Sequence, residues 1–320
     1  MSRYSEFDPT TITPQPFAER RSKVQIADFA APPAPGRSFA EFLASLPNIL
    51  AGPDIAAIAQ ATVNARRRER AVVMALGGHV VKTGVAPVLI ALMERGLITA
   101  LAANGALAIH DAEIALFGAT SEDVVSGLQT GTFGMAQETA AFYNETITRG
   151  VAEGLGIGEA LGKALLEADA PHAGMSLLAM AYRHNIPMTI HIALGTDIVH
   201  CHPNADGAAL GAGTLRDFRI LTRQMQELAH GGVLFNIGSA VVMPEVLLKA
   251  IALLRNRDPE GFTDFLGVNL DFIQGYRANQ QVVSRVQAIG GRGLSLTGHH
   301  EILLPLLAQA VVELWEQERP

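Results

Sequence analysis

Residues 71–84 read AVVMALGGHVVKTG: a short apolar run, a pair of glycines and then a polar turn. Five further stretches repeat that grammar. The six runs are Ala71–Leu76, Ile98–Ala103, Ile186–Ala193, Val233–Ile237, Leu266–Phe272 and Gly293–Leu296. Each ends in a small or polar cluster, such as Asn104-Gly105-Ala106, Gly195-Thr196-Asp197, Gly238-Ser239-Ala240 or Thr297-Gly298-His299-His300. Near-continuous apolar runs separated by helix-length segments are the pattern of strands buried on both faces. The expected fold is α/β: a Rossmann-like, doubly wound, mostly parallel sheet of six or seven strands. A run of helices between residues 108 and 184 is expected to separate strands two and three. In open sheets of this kind ligands sit outside the carboxyl ends of the strands. The glycines and histidines that follow the runs are therefore expected on one edge.

Composition narrows the function classes. Across 320 residues the chain is 49% apolar, 17% charged and only 6% aromatic, so its core rests on Ala, Leu, Ile and Val. A formal charge of −7 argues against a nucleic-acid surface, which needs clustered Lys and Arg. The basic run Arg66–Arg70 fits the carboxyl end of a helix. A single cysteine, Cys201, excludes an internal disulfide framework and fits a reducing compartment. No uncharged run approaches the roughly 18 apolar residues of a membrane span, and no apolar leader-like stretch opens the chain. A cytoplasmic protein is expected.

Residues 1–52 read as a Pro-rich arm followed by a short helix at Phe39–Leu46, and residues 53–320 as one α/β domain. Helices are expected at 53–70, 86–95, 108–117, 135–150, 157–168, 174–184, 214–229, 244–255 and 300–317.

Four segments could carry chemistry. Gly77–Gly84 places Gly78, Lys82 and Thr83 at a strand-to-helix turn, where backbone N–H groups can approach a phosphate. It matches neither G-x-x-x-x-G-K-[ST] nor G-x-G-x-x-G. Lys82 is one of only four lysines in the chain. Asn104–Glu113 follows the second run and crowds His110, Asp111 and Glu113 into one helical turn, either as dipole complements or as ligands for a hydroxyl or cationic group. Gly195–Pro203 holds Asp197, His200, Cys201 and His202, with His191 just upstream. Histidine suits proton transfer near neutrality; a metal site is the other reading, although Cys201 would point away from flanking histidines on an extended chain. Thr297–Glu301, with Asn269, Asp271 and Gln274, supplies the remaining candidates.

In this order the segments resemble the deoxyhypusine-synthase-like NAD-binding fold. The likeness is greatest to the C-terminal NAD-binding region of the LOR/SDH family, which includes NAD-dependent ornithine cyclodeaminases. Asn104-Gly105-Ala106-Leu107-Ala108-Ile109-His110-Asp111-Ala112-Glu113 is similar to that family's GNALAVHDIE stretch, and Ala115-Leu116-Phe117-Gly118 continues it. Gly77–Gly84, Asn185-Ile186-Pro187, Gly195-Thr196-Asp197 and Gly238-Ser239-Ala240 match in spacing, over roughly residues 71–314. The resemblance implies NAD in the crevice, held by Gly78, Thr83, Asn104, Gly105, Ala106, Asp197, Gly238, Ser239, Asn269 and Thr297, and a homo-oligomer, dimer or tetramer. Two departures limit it. Deoxyhypusine synthase uses a late lysine, whereas here no lysine follows Lys249 and Ser284-Arg285 stand where one would be sought. Arginine stays protonated and is no nucleophile. The additional N-terminal region of the ornithine-cyclizing enzymes has no counterpart in these residues, so their reaction does not carry over.

The expected function is an NAD-dependent enzyme acting on a small amine- or hydroxyl-bearing substrate, with His200 or His110 as general base. Asp197 would orient the base or the substrate, and Lys82 would pair with a pyrophosphate or a carboxylate. The alternatives are a metal-dependent hydrolase or deaminase using His191, His200, His202 and His299 or His300, and a non-catalytic dinucleotide-binding protein.

Overall fold

The computed structural model describes residues 2–317. The chain divides into compact units at 1–53 and 54–320. In the first, no described residue is buried. Short 3-10 turns at Pro9–Thr11, Phe17–Glu19 and Ile26–Asp28 punctuate an otherwise extended stretch, followed by α1 (Phe39–Ala44). Asp8 and Ser38 cap two of these elements by accepting backbone N–H groups, as short polar side chains do at helix starts.

The second unit contains most of α2 (Ala51–Arg67) and then alternates strand with helix. The order is β1 (Val72–Leu76), α3 (Gly78–Lys82), α4 (Ala86–Glu94), β2 (Ala100–Asn104), α5 (Gly105–Phe117), α6 (Val124–Thr130), α7 (Gln137–Ala152), α8 (Ile157–Glu167) and α9 (Leu177–Arg183). There follow β3 (Met188–His191), α10 (Gly207–Met225), β4 (Val233–Ile237), α11 (Val242–Arg257) and β5 (Leu266–Asp271). Last come α12 (Tyr276–Ala278), a π-helical stretch at Asn279–Ser284, α13 (Arg285–Ala288), β6 (Arg292–Thr297) and α14 (His300–Gln317).

The strands form one sheet in the order β3-β2-β1-β4-β5-β6, every pair parallel. Chain direction reverses its march at β1/β4, which is the switch point of a doubly wound fold. All six carboxyl ends therefore lie on one edge, as the sequence pattern implies. Burial on both faces accounts for the unbroken apolar runs of β1 to β5, whereas β6, at the far edge, buries only Leu296 fully. Val73, Ala75, Ala102 and Leu234 pack under Leu221, Met225, Met243 and Leu247. Met74, Phe235 and Ile237 line the opposite face with Leu89, Leu304 and Leu307. Truncating a filled position such as Leu234 to Ala should cost about 2–5 kcal/mol.

β3 is an edge strand, and side chains of α10 seal it. Asp217 accepts the Ile190 N–H at 2.7 Å and the Gly158 N–H at 3.1 Å. Thr214 accepts the Ile192 N–H at 3.0 Å and donates to the Ile190 carbonyl at 3.1 Å. An exposed ladder would otherwise invite another strand. Burial pushes the Asp217 carboxyl up to about 7.

Three helical segments depart from the sequence expectation. Residues 276–288 are helical although their pattern marks no helix; a parallel β5–β6 pair needs a crossover, and topology overrides weak local signal there. α6 was likewise unmarked, being seven residues with a glycine inside. α10 begins at Gly207, not Thr214, because Asp206 caps it and Gly213 is needed where Ile157 presses on the helix.

Candidate functional site

The rim of the sheet is divided by α3. Its first turn follows Gly77, whose position is fixed by backbone packing: a Cβ there would lie 1.9 Å from the Gly238 carbonyl oxygen. Gly238 itself has φ +65°, which favours glycine. β1 and β4 can thus meet closely at the switch point. On one side of α3 is a pocket over the ends of β2 and β3. On the other, a group of rings closes over β4, β5 and β6.

The pocket has a volume of about 260 Å³ and is lined by Lys82, His110, Glu113, Thr196, Asp197 and Phe133, among others. Lys82, His110 and Asp197, three of the four residues expected to act chemically, are brought together here. Ala106 also lines it. His110 and Glu113 stand one helical turn apart on α5. The His110 Nδ1 lies 2.7 Å from the Thr120 hydroxyl, which donates to Glu113; Thr139 donates to the other oxygen of Glu113 at 2.9 Å. Burial, with Lys82 adding to it, lowers the His110 pKa from its ordinary value against the pull of Glu113. A neutral imidazole is therefore favoured near pH 7.

Asp197 sits against the start of α5. A Cβ on Gly105 would fall 2.0 Å from its Oδ2, so glycine is what admits the carboxylate to that helix N-terminus. Burial raises the Asp197 pKa, opposed by His200. The ring of His200 is held from behind: its Nδ1 accepts the backbone N–H groups of Gly195 at 3.2 Å and Asp197 at 3.3 Å. In a neutral ring the proton is then on Nε2. That Nε2 and Asp197 Oδ2 are both buried without a hydrogen-bond partner, 3.9 Å apart. One donor and one acceptor left unpaired side by side match a group that can both accept and donate, namely a hydroxyl.

The pocket wall opposite α5 comes from residues 119–136. Glu122 accepts the Gly134 N–H at 2.9 Å, His202 Nε2 contacts the Gly134 carbonyl at 2.8 Å, and Gly134 packs on Ile198. His202 is thereby a brace between the wall and the loop after β3.

Beyond α3, His79, Phe272 and His300 stack edge to face with centroids 5.4–5.8 Å apart. His300 is fully buried, with its Nε2 3.6 Å from Asp271. Burial lowers its pKa while Asp271 raises it. Beneath the rings a polar ladder runs across the strands. Asn236 Nδ2 donates to Asn269 Oδ1 at 2.7 Å and to the Ser239 carbonyl at 3.0 Å, and Asn269 Nδ2 donates to Gln274 Oε1 at 2.7 Å.

Several residues expected to meet a cofactor have their side chains engaged by the fold. Thr83 donates to the Val80 carbonyl, Asn104 caps α5 through Leu107, Ser239 accepts the Met243 N–H, and Asn269 is inside the ladder. Gly78 packs against Ala106, and Thr297 ends β6, exposed and paired in register with Asp271. Asp111, two residues from Glu113, faces inward and caps α9 through Leu177 N–H, Leu178 N–H and the Ser176 hydroxyl.

The histidines of the metal reading do not converge. His191 is buried against Thr189, His200 is tied to backbone amides, His202 holds Gly134, and His299 and His300 lie on the other rim. Among the described residues no three His, Cys, Asp or Glu side chains are grouped to hold a metal ion. Thr120 and Thr139 carry no signal in the sequence; Glu113 had one, its i,i+3 spacing from His110 on a helix.

The residues fit part of a dinucleotide. The pocket is near the small end of ligand sites, with Asp197 and Lys82 in its lining.

Residues 56–166, about a third of the chain, match the family described as "Arginine dihydrolase ArgZ-like, C-terminal, Rossmann fold". No curated protein sequence matches the chain. Among solved structures, AgrE in ternary complex with ornithine and NAD+ aligns with TM-score 0.50 at 15% identity, over 83% of this chain and 33% of AgrE. A LOR/SDH protein of Methanococcus maripaludis S2 aligns with TM-score 0.46 at 16% identity, over 82% of this chain and 70% of that one. A protein of Entamoeba histolytica, described as a deoxyhypusine synthase by resemblance, aligns with TM-score 0.48 at 10% identity, over 87% and 94%. This chain thus spans a third of the length of AgrE. At such identities the likeness is one of architecture, and the architecture is a six-stranded, all-parallel Rossmann fold of the kind the sequence resemblance implied.

Proposed function

We propose that this chain is an NAD-dependent enzyme acting on a small amine- or hydroxyl-bearing substrate in the pocket over β2 and β3. The observation that carries this reading is the convergence of Lys82, His110 and Asp197 on one cavity at the carboxyl edge of a Rossmann sheet. AgrE, which shares the fold, was solved with NAD+ and the amino acid ornithine.

The hydroxyl clamp of Asp197 and His200 would hold a ribose or substrate hydroxyl. Lys82 would face an anionic group, a pyrophosphate or a carboxylate. When bound, a nicotinamide supplies a hydride acceptor. His110 is the general base: its Nδ1 is engaged by Thr120, and Nε2 remains as the ring's acceptor for a substrate proton. His200 is set aside as a base because its bare nitrogen faces backbone amides. Gly78, Gly105, Ala106 and Gly238 would offer backbone to the cofactor at the rim; Thr83, Asn104, Ser239, Asn269 and Thr297 would act through the turns they stabilise. No helix is long and apolar enough to cross a membrane among the described residues. A cytoplasmic homo-oligomer completes the reading, and native mass spectrometry tests its subunit number.

The functional test is direct. Purified protein is titrated calorimetrically with NAD+, then incubated with NAD+ and a panel of small amino and hydroxy acids, with products followed by mass spectrometry and reduced cofactor by absorbance. Saturable NAD+ binding and conversion of one substrate, lost in His110→Ala with binding retained, is the expected result. Because the His110 pKa lies below its usual value, the acid limb of the rate profile should fall below about pH 6.5. Absence of NAD+ binding at millimolar concentration would overturn the reading.

A further inference from the structure

His110 does not stand alone in the pocket. Its ring is the first member of a three-part chain, His110 Nδ1, Thr120 hydroxyl, Glu113 carboxylate, whose members come from α5 and from the wall segment 119–136. The directions of these hydrogen bonds follow from counting protons. A carboxylate only accepts. Thr120 has one hydroxyl proton and donates it to Glu113. Its oxygen can then only accept from the ring, so Nδ1 must carry the imidazole proton.

We infer that Glu113 and Thr120 are positioning residues that fix His110 in the Nδ1–H form and thereby keep Nε2 free to take a proton. Thr139 belongs to the same arrangement. By donating to the second oxygen of Glu113 it holds that carboxylate in place while Thr120 is docked. Thr120 is also where the wall meets the base: 119–136 is braced on its far side by Glu122, Gly134 and His202. A wall that is seated correctly brings the hydroxyl to Nδ1, so the form of the base reports whether the pocket is assembled.

The inference rests on the proposed function only for its kinetic consequence; its structural content is read separately. Nitrogen-15 NMR of the His110 imidazole in the full chain distinguishes the two neutral forms. The wild type should show the Nδ1–H form. Thr120→Val removes the hydroxyl without changing the shape of the side chain and should shift the ring toward Nε2–H. Glu113→Gln is the sharper variant. If its amide N–H points at Thr120, the hydroxyl must accept there and donate to the ring instead, which inverts the form to Nε2–H. Thr120→Ser keeps the hydroxyl and should restore the wild-type spectrum.

For whichever substrate is converted, kcat should fall about 10²–10⁴-fold in Glu113→Gln, the range that a general base and its correct tautomer contribute. Thr120→Ser should retain most of the rate. Identical His110 spectra in wild type, Thr120→Val and Glu113→Gln would overturn the relay, even if NAD+ and substrate are turned over. The inverse result, inverted spectra with no NAD+ binding, would leave the relay standing and remove the enzyme assignment.

Discussion

The two rims on either side of α3 are built from the same kinds of residue, yet one encloses a cavity and the other is filled by packed rings. Over β4–β6, Asn236, Asn269 and Gln274 form a ladder and rings of His79, Phe272 and His300 fill the space above, although Asn236 Oδ1 and both ring nitrogens of His300 stay buried without a hydrogen-bond partner. Over β2–β3, polar atoms line a cavity, and Asp197 Oδ2 and His200 Nε2 are left buried and unpaired. An unmet buried donor or acceptor costs about 1–3 kcal/mol. Both rims keep such atoms, and what sets the β2–β3 rim apart is the cavity that Lys82, His110 and Asp197 line.

The contrast can be broken experimentally. The largest effect is expected from His110→Ala, which should lower kcat about 10²–10⁴-fold and barely move the thermal midpoint. A similar loss from His79→Ala would put the chemistry on the wrong side of α3. Next is Gly77→Ala at the partition itself. Its Cβ would collide with the Gly238 carbonyl, so a loss of about 3 kcal/mol of stability is expected by denaturant titration. Wild-type stability would mean that the two strand ends separate readily. Asn269→Ala should cost about 2 kcal/mol by taking one of two acceptors from Asn236 Nδ2 and the donor from Gln274 Oε1; a drop in NAD+ affinity at unchanged stability would instead return Asn269 to ligand binding. Smallest is Lys82→Met, an exposed charge, for which about fivefold weaker NAD+ or substrate binding is expected, diminishing as salt is raised.

Much of the sheet was legible because burial on both faces writes itself into sequence as unbroken apolar runs. Ala71–Leu76 and Val233–Ile237 needed no partner information to be recognised as strands. Their carboxyl-end clusters followed from topology, which is why Lys82, His110 and Asp197 could be named together. What stayed hidden depends on three-dimensional pairing. Asp111 and Glu113 look alike in sequence, yet one caps α9 and the other enters the pocket, a difference decided by which way α5 is turned. Thr120 and Thr139 come from segments whose local pattern says nothing of a histidine ten and twenty-nine residues upstream. The helical crossover at 276–288 was hidden for a similar reason: the demand for it comes from the parallel neighbours β5 and β6.

The carboxyl that seals β3 has one more consequence. Asp217 is raised to about 7 in the folded chain, against an ordinary value of 3.8. Its contribution to stability is therefore complete only below its unfolded value and is lost as pH rises from there to neutrality. His191, lowered to about 3 by burial, acts in the opposite sense and penalises acid. Because His191 lies on β3 itself, the two effects oppose each other across mild acid, and the outermost strand is buffered against pH by a carboxyl and an imidazole that pull in contrary directions.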